Sequence, residues 1–146
     1  MISRLSLYDT DFFAWSQEQA ELLRTGRADE ADLAVIADEI ESMGKSQRRA
    51  IVSRLAILIL HLLKWERQPA LRGASWRLGI ANARDALADL FGENSSLKAQ
   101  SDSLIVSAYR YARRQAAGET GLPDAAFPST CPWSLETLLD EGFWPD

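Results

Sequence analysis

Between Ile51 and Leu63 the chain reads IVSRLAILILHLL, and this stretch limits the possible folds more than any other. At 100° per residue, Ile51, Leu55, Ile59 and Leu62 form one stripe, and Ile57, Leu60 and Leu63 carry apolar character well round the cylinder. A helix apolar on most sides has to be buried on most sides, by further helices of the same chain or by a partner chain. The segment is no membrane span. Its longest apolar run, Leu55 to Leu63, is broken at His61, and a span needs roughly 20 apolar residues.

The helical period extends through most of the chain, and strand alternation is absent. A first helix is expected from Asp9 or Thr10, with Phe12, Trp15, Gln19 and Leu22 in register and Gly26 as its stop. EADLAVIADEIESMG predicts a second, with Leu33, Ile36, Ala37, Ile40 and Met43 as its apolar stripe. Gly44 either ends that helix, with Ser46 capping the next, or lies in one kinked continuous helix. SWRLGIANARDALADLF places Trp76, Ile80, Ala83, Leu87 and Leu90 in register. SLKAQSDSLIVSAYRYARRQAAG places Leu97, Leu104, Ala108 and Tyr111 toward a core. Pro123, Pro128 and Pro132 forbid a continuous helix in the tail, where Ser134 caps one short helix. Phe127, Trp133, Phe143 and Trp144 are expected to clamp this acidic tail onto the bundle.

A chain of 146 residues, 47% of them apolar, can bury a core as a single domain over 1–146 without metal or disulfide. The lone Cys131 excludes an internal disulfide, and MISRLSLYDTDFF shows no signal-peptide pattern, so a cytoplasmic protein is expected. The net charge of −5 is unevenly spread. Residues 1–44 carry 3 basic and 10 acidic groups, residues 45–118 carry 13 and 5, and residues 119–146 carry 6 acidic groups and no basic one. The simplest account is fold-internal complementarity. A pI near 4.9 argues against a nucleic-acid surface, which needs a dominant positive face.

His61, the only histidine, is the natural start for a search for chemistry. Gln47, Arg54 and His61 recur at intervals of seven along one flank of their helix, and Trp65 continues it. Glu39 borders the apolar stripe of the preceding segment. An antiparallel hairpin would bring Glu39 to Arg54 and His61 beside Trp65. One reading makes His61 an acid/base group or a ligand oriented by Glu39. The favoured reading makes the set a polar seam that fixes helix register. No metal or cofactor motif is present: there is no HExxH, and Asp38, Glu39 and Glu41 diverge on one helix. Cys131 reads as a buried structural thiol, and GKS at Gly44 to Ser46 lacks the upstream glycine of a phosphate loop. Arg77 and Arg84, seven apart, share a face that could hold an anion and is more simply solvated.

The blocks YDTDFFAWSQEQAELLRTG, EIESMGKSQRRAIVSRLAILILHLLKW, SWR and CPWSLETLLDEGF, in this order, resemble the family catalogued as domain of unknown function 29. The resemblance covers about Tyr8 to Phe143 and implies a bacterial, all-helical, bundle-like protein with no established activity. It carries over no catalytic residue. It marks Glu39, Glu41, His61, Lys64, Trp65, Trp76 and Arg77 as motif positions.

The expectation is an all-α, up-and-down bundle of about five core helices plus one short C-terminal helix. The function expected is a non-enzymatic interaction module that binds another protein or a second copy of itself. The alternative is an enzyme or a small-ligand or anion binder built on Glu39, Arg54 and His61, flanked by Trp65, Trp76 and Arg77.

Overall fold

The computed structural model of the protein describes residues 6–146; the opening MISRL, part of the segment read as lacking a signal peptide, lies outside the described residues. The fold is all-α, with no strand among the described residues. Its helices are α1 (Leu7–Thr10), α2 (Phe12–Arg24), α3 (Leu33–Arg67), α4 (Ala74–Glu93), α5 (Ser101–Thr120) and α6 (Leu135–Leu139). No helix is long and apolar enough to cross a membrane.

α3 corrects the expected helix count. The segments separated by the possible break at Gly44 form one helix of 35 residues, so five expected core helices become four long ones. Only Gly26 and Gly121 adopt positive φ among the described residues, each at +75°, and each follows the end of a helix. Gly44 stays helical. An interior glycine costs about 1 kcal/mol relative to alanine, and no proline between Leu33 and Arg67 adds to that.

The chain divides into two compact units, one ending at Lys45 and the other running Ser46–Asp146. In the first, the Asp11 side chain caps α2 by accepting from the Ala14 N–H at 3.0 Å. Trp15, Gln19 and Leu22 are the buried residues of α2. Trp15 Nε1 donates to Asp32 at 3.3 Å, and the Gln19 side-chain oxygen accepts from the Asp32 N–H at 2.7 Å. Tyr8, Phe12 and Trp15 form an aromatic cluster with centroids 4.9–5.5 Å apart. Tyr8 donates its hydroxyl proton to Glu39, and this bond, more than burial, raises the Tyr8 pKa above its ordinary value.

The second unit holds most of the core. Ile51, Leu55, Leu58, Ile59, Leu62 and Leu63 of α3 are fully buried, each contributing about 1.5–3 kcal/mol of hydrophobic stabilisation. They meet Ile80, Ala83, Leu87 and Phe91 of α4, and Leu104, Ala108, Ala112 and Ala116 of α5. Tyr111 departs from expectation: it is exposed, and Tyr109 is buried instead. Leu104 and Ala108 lie at one edge of the buried arc, whose middle runs through Ala112 toward Ile105 and Ala116. Tyr111 lies about 20° beyond that edge and about 100° from the middle of the arc at Ala112. In the tail, Ser134 caps α6 by accepting from the Thr137 N–H at 3.2 Å, and Phe127 and Leu138 are buried.

Candidate functional site

His61 sits on α3 with its ring against Gly79 of α4. A β-carbon built at Gly79 would lie 2.8 Å from His61 Nε2, so the absence of a side chain there lets the imidazole in. Nδ1 lies 2.8 Å from the Ile57 carbonyl, one turn back. A carbonyl only accepts, so Nδ1 carries the proton and Nε2 is the nitrogen facing α4. One turn on, Lys64 Nζ donates to Glu119 of α5 at 2.7 Å and stands 5.0 Å from the centroid of the Trp76 ring. Gln115 Nε2 donates to the other Glu119 oxygen at 2.8 Å. The Lys64 bond, followed by that from Gln115, lowers the Glu119 pKa below the ordinary carboxylate value. His61, Lys64, Trp76, Gln115 and Glu119 thus form a seam joining α3, α4 and α5.

Trp65 lies one helical turn from His61 and is nearly buried. Its ring is flanked by the Arg72 guanidinium at 4.9 Å, the Arg77 guanidinium at 5.5 Å and the Trp144 ring at 4.6 Å. Arg72 Nε also donates to the Trp65 carbonyl at 2.7 Å. The solvated face expected for Arg77 and Arg84 holds for Arg77 alone. Arg84 is buried, and its Nε and Nη2 donate to the Leu138 and Phe143 carbonyls at 2.8 and 2.9 Å. Burial lowers the Arg84 pKa, and Asp140 and Glu141 oppose that shift. Arg84 fails the solvated expectation because the tail folds back over this face, a long-range event that local spacing does not encode.

Of the residues singled out in the sequence, the structure gathers Trp65 and Arg77 round one ring and His61 and Trp76 into the seam. Arg54 is exposed on α3. Glu39 is engaged by Tyr8 within the first unit, and the hairpin that would have carried it to Arg54 is not formed, because α3 is continuous. Sequence reasoning missed Glu119, Gln115, Arg72 and Gly79. Only Gly79 carried a local signal, as an isolated glycine inside a helical pattern that marks a close approach.

A cavity of about 910 Å³ runs between α5 and the tail and includes Tyr109, Arg113, Cys131 and Trp133 in its wall. A second, of about 550 Å³, lies between α3 and α5, and His61 lines neither. Arg110, Arg113 and Arg114 are offset in the larger one by Asp102, Asp124 and Glu136, so it presents no dominant charge. Tyr109 donates to the Pro128 carbonyl at 2.6 Å, and burial pushes its pKa up to about 12. Burial also raises the Cys131 pKa, against a weaker opposing hydrogen bond to the Trp133 carbonyl, so the thiol stays protonated near neutrality. Among the described residues no group of three or more His, Cys, Asp or Glu side chains is placed to hold a metal ion.

The remaining feature is an uncovered face of α3. Leu33, Ile36, Ile40, Gln47 and Ile51 follow one stripe of its surface. From Ile51 onward that stripe is core. Before it, Leu33 is 53% exposed, Ile40 64% and the adjacent Met43 65%.

A family model described as "Domain of unknown function DUF29" matches residues 7–144. No curated protein and no solved structure matches the chain. The chain belongs to that family.

Proposed function

We propose that this member of the DUF29 family is a non-enzymatic interaction module, bacterial and cytoplasmic, that works by presenting the N-terminal half of α3. One observation carries the reading: a single apolar stripe is core from Ile51 onward and open to solvent at Leu33, Ile40 and Met43. Scattered single exposed apolar residues need no explanation, but Leu33, Ile40 and Met43 lie near one helix face, with a half-buried Ile36 among them, and exposed apolar residues grouped in this way mark an interaction surface. Two features of the second unit support a structural role for the His61 seam. Lys64 and Glu119 satisfy each other there, and His61 Nε2 faces Gly79 of α4. The competing reading, a ligand site on Glu39, Arg54 and His61, needs an imidazole open to a ligand and a route from Glu39 to it.

Site-specific photo-crosslinking tests the reading. A photoreactive residue at position 40 or 43 is expected to give discrete adducts in cells, whereas one at Leu78, an isolated exposed leucine of α4, gives none. In parallel, Ile40→Lys with Met43→Lys should leave the urea stability of the dilute chain within about 0.5 kcal/mol of the original. Absence of adducts at 40 and 43 overturns the reading. So does a loss of about 2–5 kcal/mol in the double variant, the mark of a core position.

A further inference from the structure

We infer that the groove between α3 and α5 binds a small phosphorylated molecule with an aromatic body, of the nucleotide class. This site is separate from the apolar stripe of α3 and lies wholly within the second unit. Its volume, about 550 Å³, falls within the roughly 300–1,000 Å³ usual for small-ligand sites. Arg48 and Arg49 of α3 and Arg110 of α5 line it, and its wall contains no aspartate or glutamate. None of the three arginines is in an ion pair among the described residues. In the larger cavity, by contrast, acidic side chains match the arginines one for one. The groove is thus a local concentration of uncompensated positive charge on a chain whose net charge is −5. Like charges gathered in one groove raise each other's energy, and a bound anion relieves them.

The arginines meet only neutral groups. Arg48 Nε donates to the Gln100 side chain at 3.4 Å and its Nη2 to Ser103 Oγ at 3.3 Å, which holds it across to α5 and leaves its charge unmatched. Arg49 Nη2 donates to Ser46 Oγ at 3.0 Å. Arg110 stands 5.4 Å from the centroid of the Tyr111 ring. Forked guanidinium donors suit phosphate oxygens, and Ser53 and Ser107 add a hydroxyl from each helix. The rest of the wall is apolar. On the wheel of α3, Val52 and Ala56 fall between Arg48 and Arg49, and Ile57 follows Ser53 by one turn. The Tyr111 ring, 55% exposed, offers a flat face beside Arg110. A phosphate chain is therefore assigned to the arginines, and a ring to Tyr111 and the aliphatic floor. A free phosphate ion would leave that floor uncovered. A nucleic acid would run past the groove, which extends only about 14 Å along α3 from Arg48 to Ile57, onto a molecule of negative net charge.

The test is an NMR titration of the full chain at low salt, following backbone amide signals, with ADP, pyrophosphate and adenosine as probes. ADP is expected to shift the signals of Ser53, Ser107 and Tyr111 saturably. Pyrophosphate, which lacks the ring, should bind at least fivefold more weakly, and adenosine, which lacks the phosphates, at least tenfold more weakly. Arg49→Gln with Arg110→Gln should weaken ADP at least tenfold and leave the urea midpoint unmoved, whereas Arg24→Gln, on α2, should change neither. Tyr111→Leu should bring ADP down to the level of pyrophosphate and leave pyrophosphate itself unchanged. No response to ADP, shifts confined to residues outside the groove, or ADP binding no tighter than pyrophosphate or adenosine overturns the proposal. So does a single-stranded oligonucleotide that binds through the same residues more than tenfold tighter than ADP, which would make the groove a nucleic-acid contact. Photo-adducts at positions 40 and 43 are read separately, so either reading can fall without the other.

Discussion

The contact between His61 and Gly79 shows how much one absent side chain can decide. The imidazole is tied to the Ile57 carbonyl at 2.8 Å, which restricts its swing away from α4. A methyl group at Gly79 would land 2.8 Å from Nε2. Gly79→Ala should therefore destabilise by about 1–3 kcal/mol, the usual cost of overpacking, despite alanine's better helix propensity. In a His61→Ala background the same substitution should cost nothing or stabilise, and a double-mutant cycle in urea reads the difference. Glu119 gives the residue scale its pH dependence. Its folded pKa lies below its unfolded value, so the stabilisation is present above the unfolded value, about 4.3, and is lost as pH falls through the folded one. The stability gap between the original chain and Glu119→Gln should shrink below about pH 4.3. A gap that stays constant to pH 2.5 would show that the Lys64 bond contributes nothing through the charge. The sequence marked His61, Lys64 and Trp76. It could not mark Glu119, which reaches Lys64 from 55 residues away.

At the scale of the element, the amphipathic periods were legible and their interruptions were not. The boundaries near Gly26 and Ser134 were readable because a left-handed glycine and a side-chain cap act locally. Gly44 was ambiguous because a glycine is compatible with both a cap and a helix interior. Its behaviour on substitution separates the two. In the interior of α3, with helical backbone and open space around it, Gly44→Ala should stabilise by about 1 kcal/mol and Gly44→Pro should cost about 3 kcal/mol or more. A loss of stability in Gly44→Ala would mean a left-handed backbone, and α3 would have to be two helices. The misplaced Tyr111 has a related origin. Tyrosine draws the eye to one side of α5, but the helix packs through Ala112 and Ala116, small residues that carry weak hydropathic signals.

For the molecule as a whole, the question is where its stability resides. Among the described residues, every member of the main buried cluster lies between Ile51 and Leu138. Trp15 and Leu22 are the buried apolar residues of the first unit. The tail that closes the second unit is held from inside by Arg84, whose guanidinium serves the Leu138 and Phe143 carbonyls. A fragment running Ser46–Asp146 keeps the cluster, the seam and this closure. It also gives up the start of α3, where Leu33, Ile40 and Met43 are exposed. The fragment should therefore fold alone, with strongly helical circular dichroism and one cooperative urea transition, because the interactions that fix it are all internal to it. Arg84→Ala in the same fragment should cost about 3 kcal/mol, since two buried carbonyls lose charged donors worth roughly 1.5–3 kcal/mol each. Its tail should become cleavable by protease near Phe143. A fragment that is helical but melts without cooperativity would show that the residues up to Lys45 contribute to the core, and the solvent-exposed stripe of α3 would then need a structural explanation in place of a docking one.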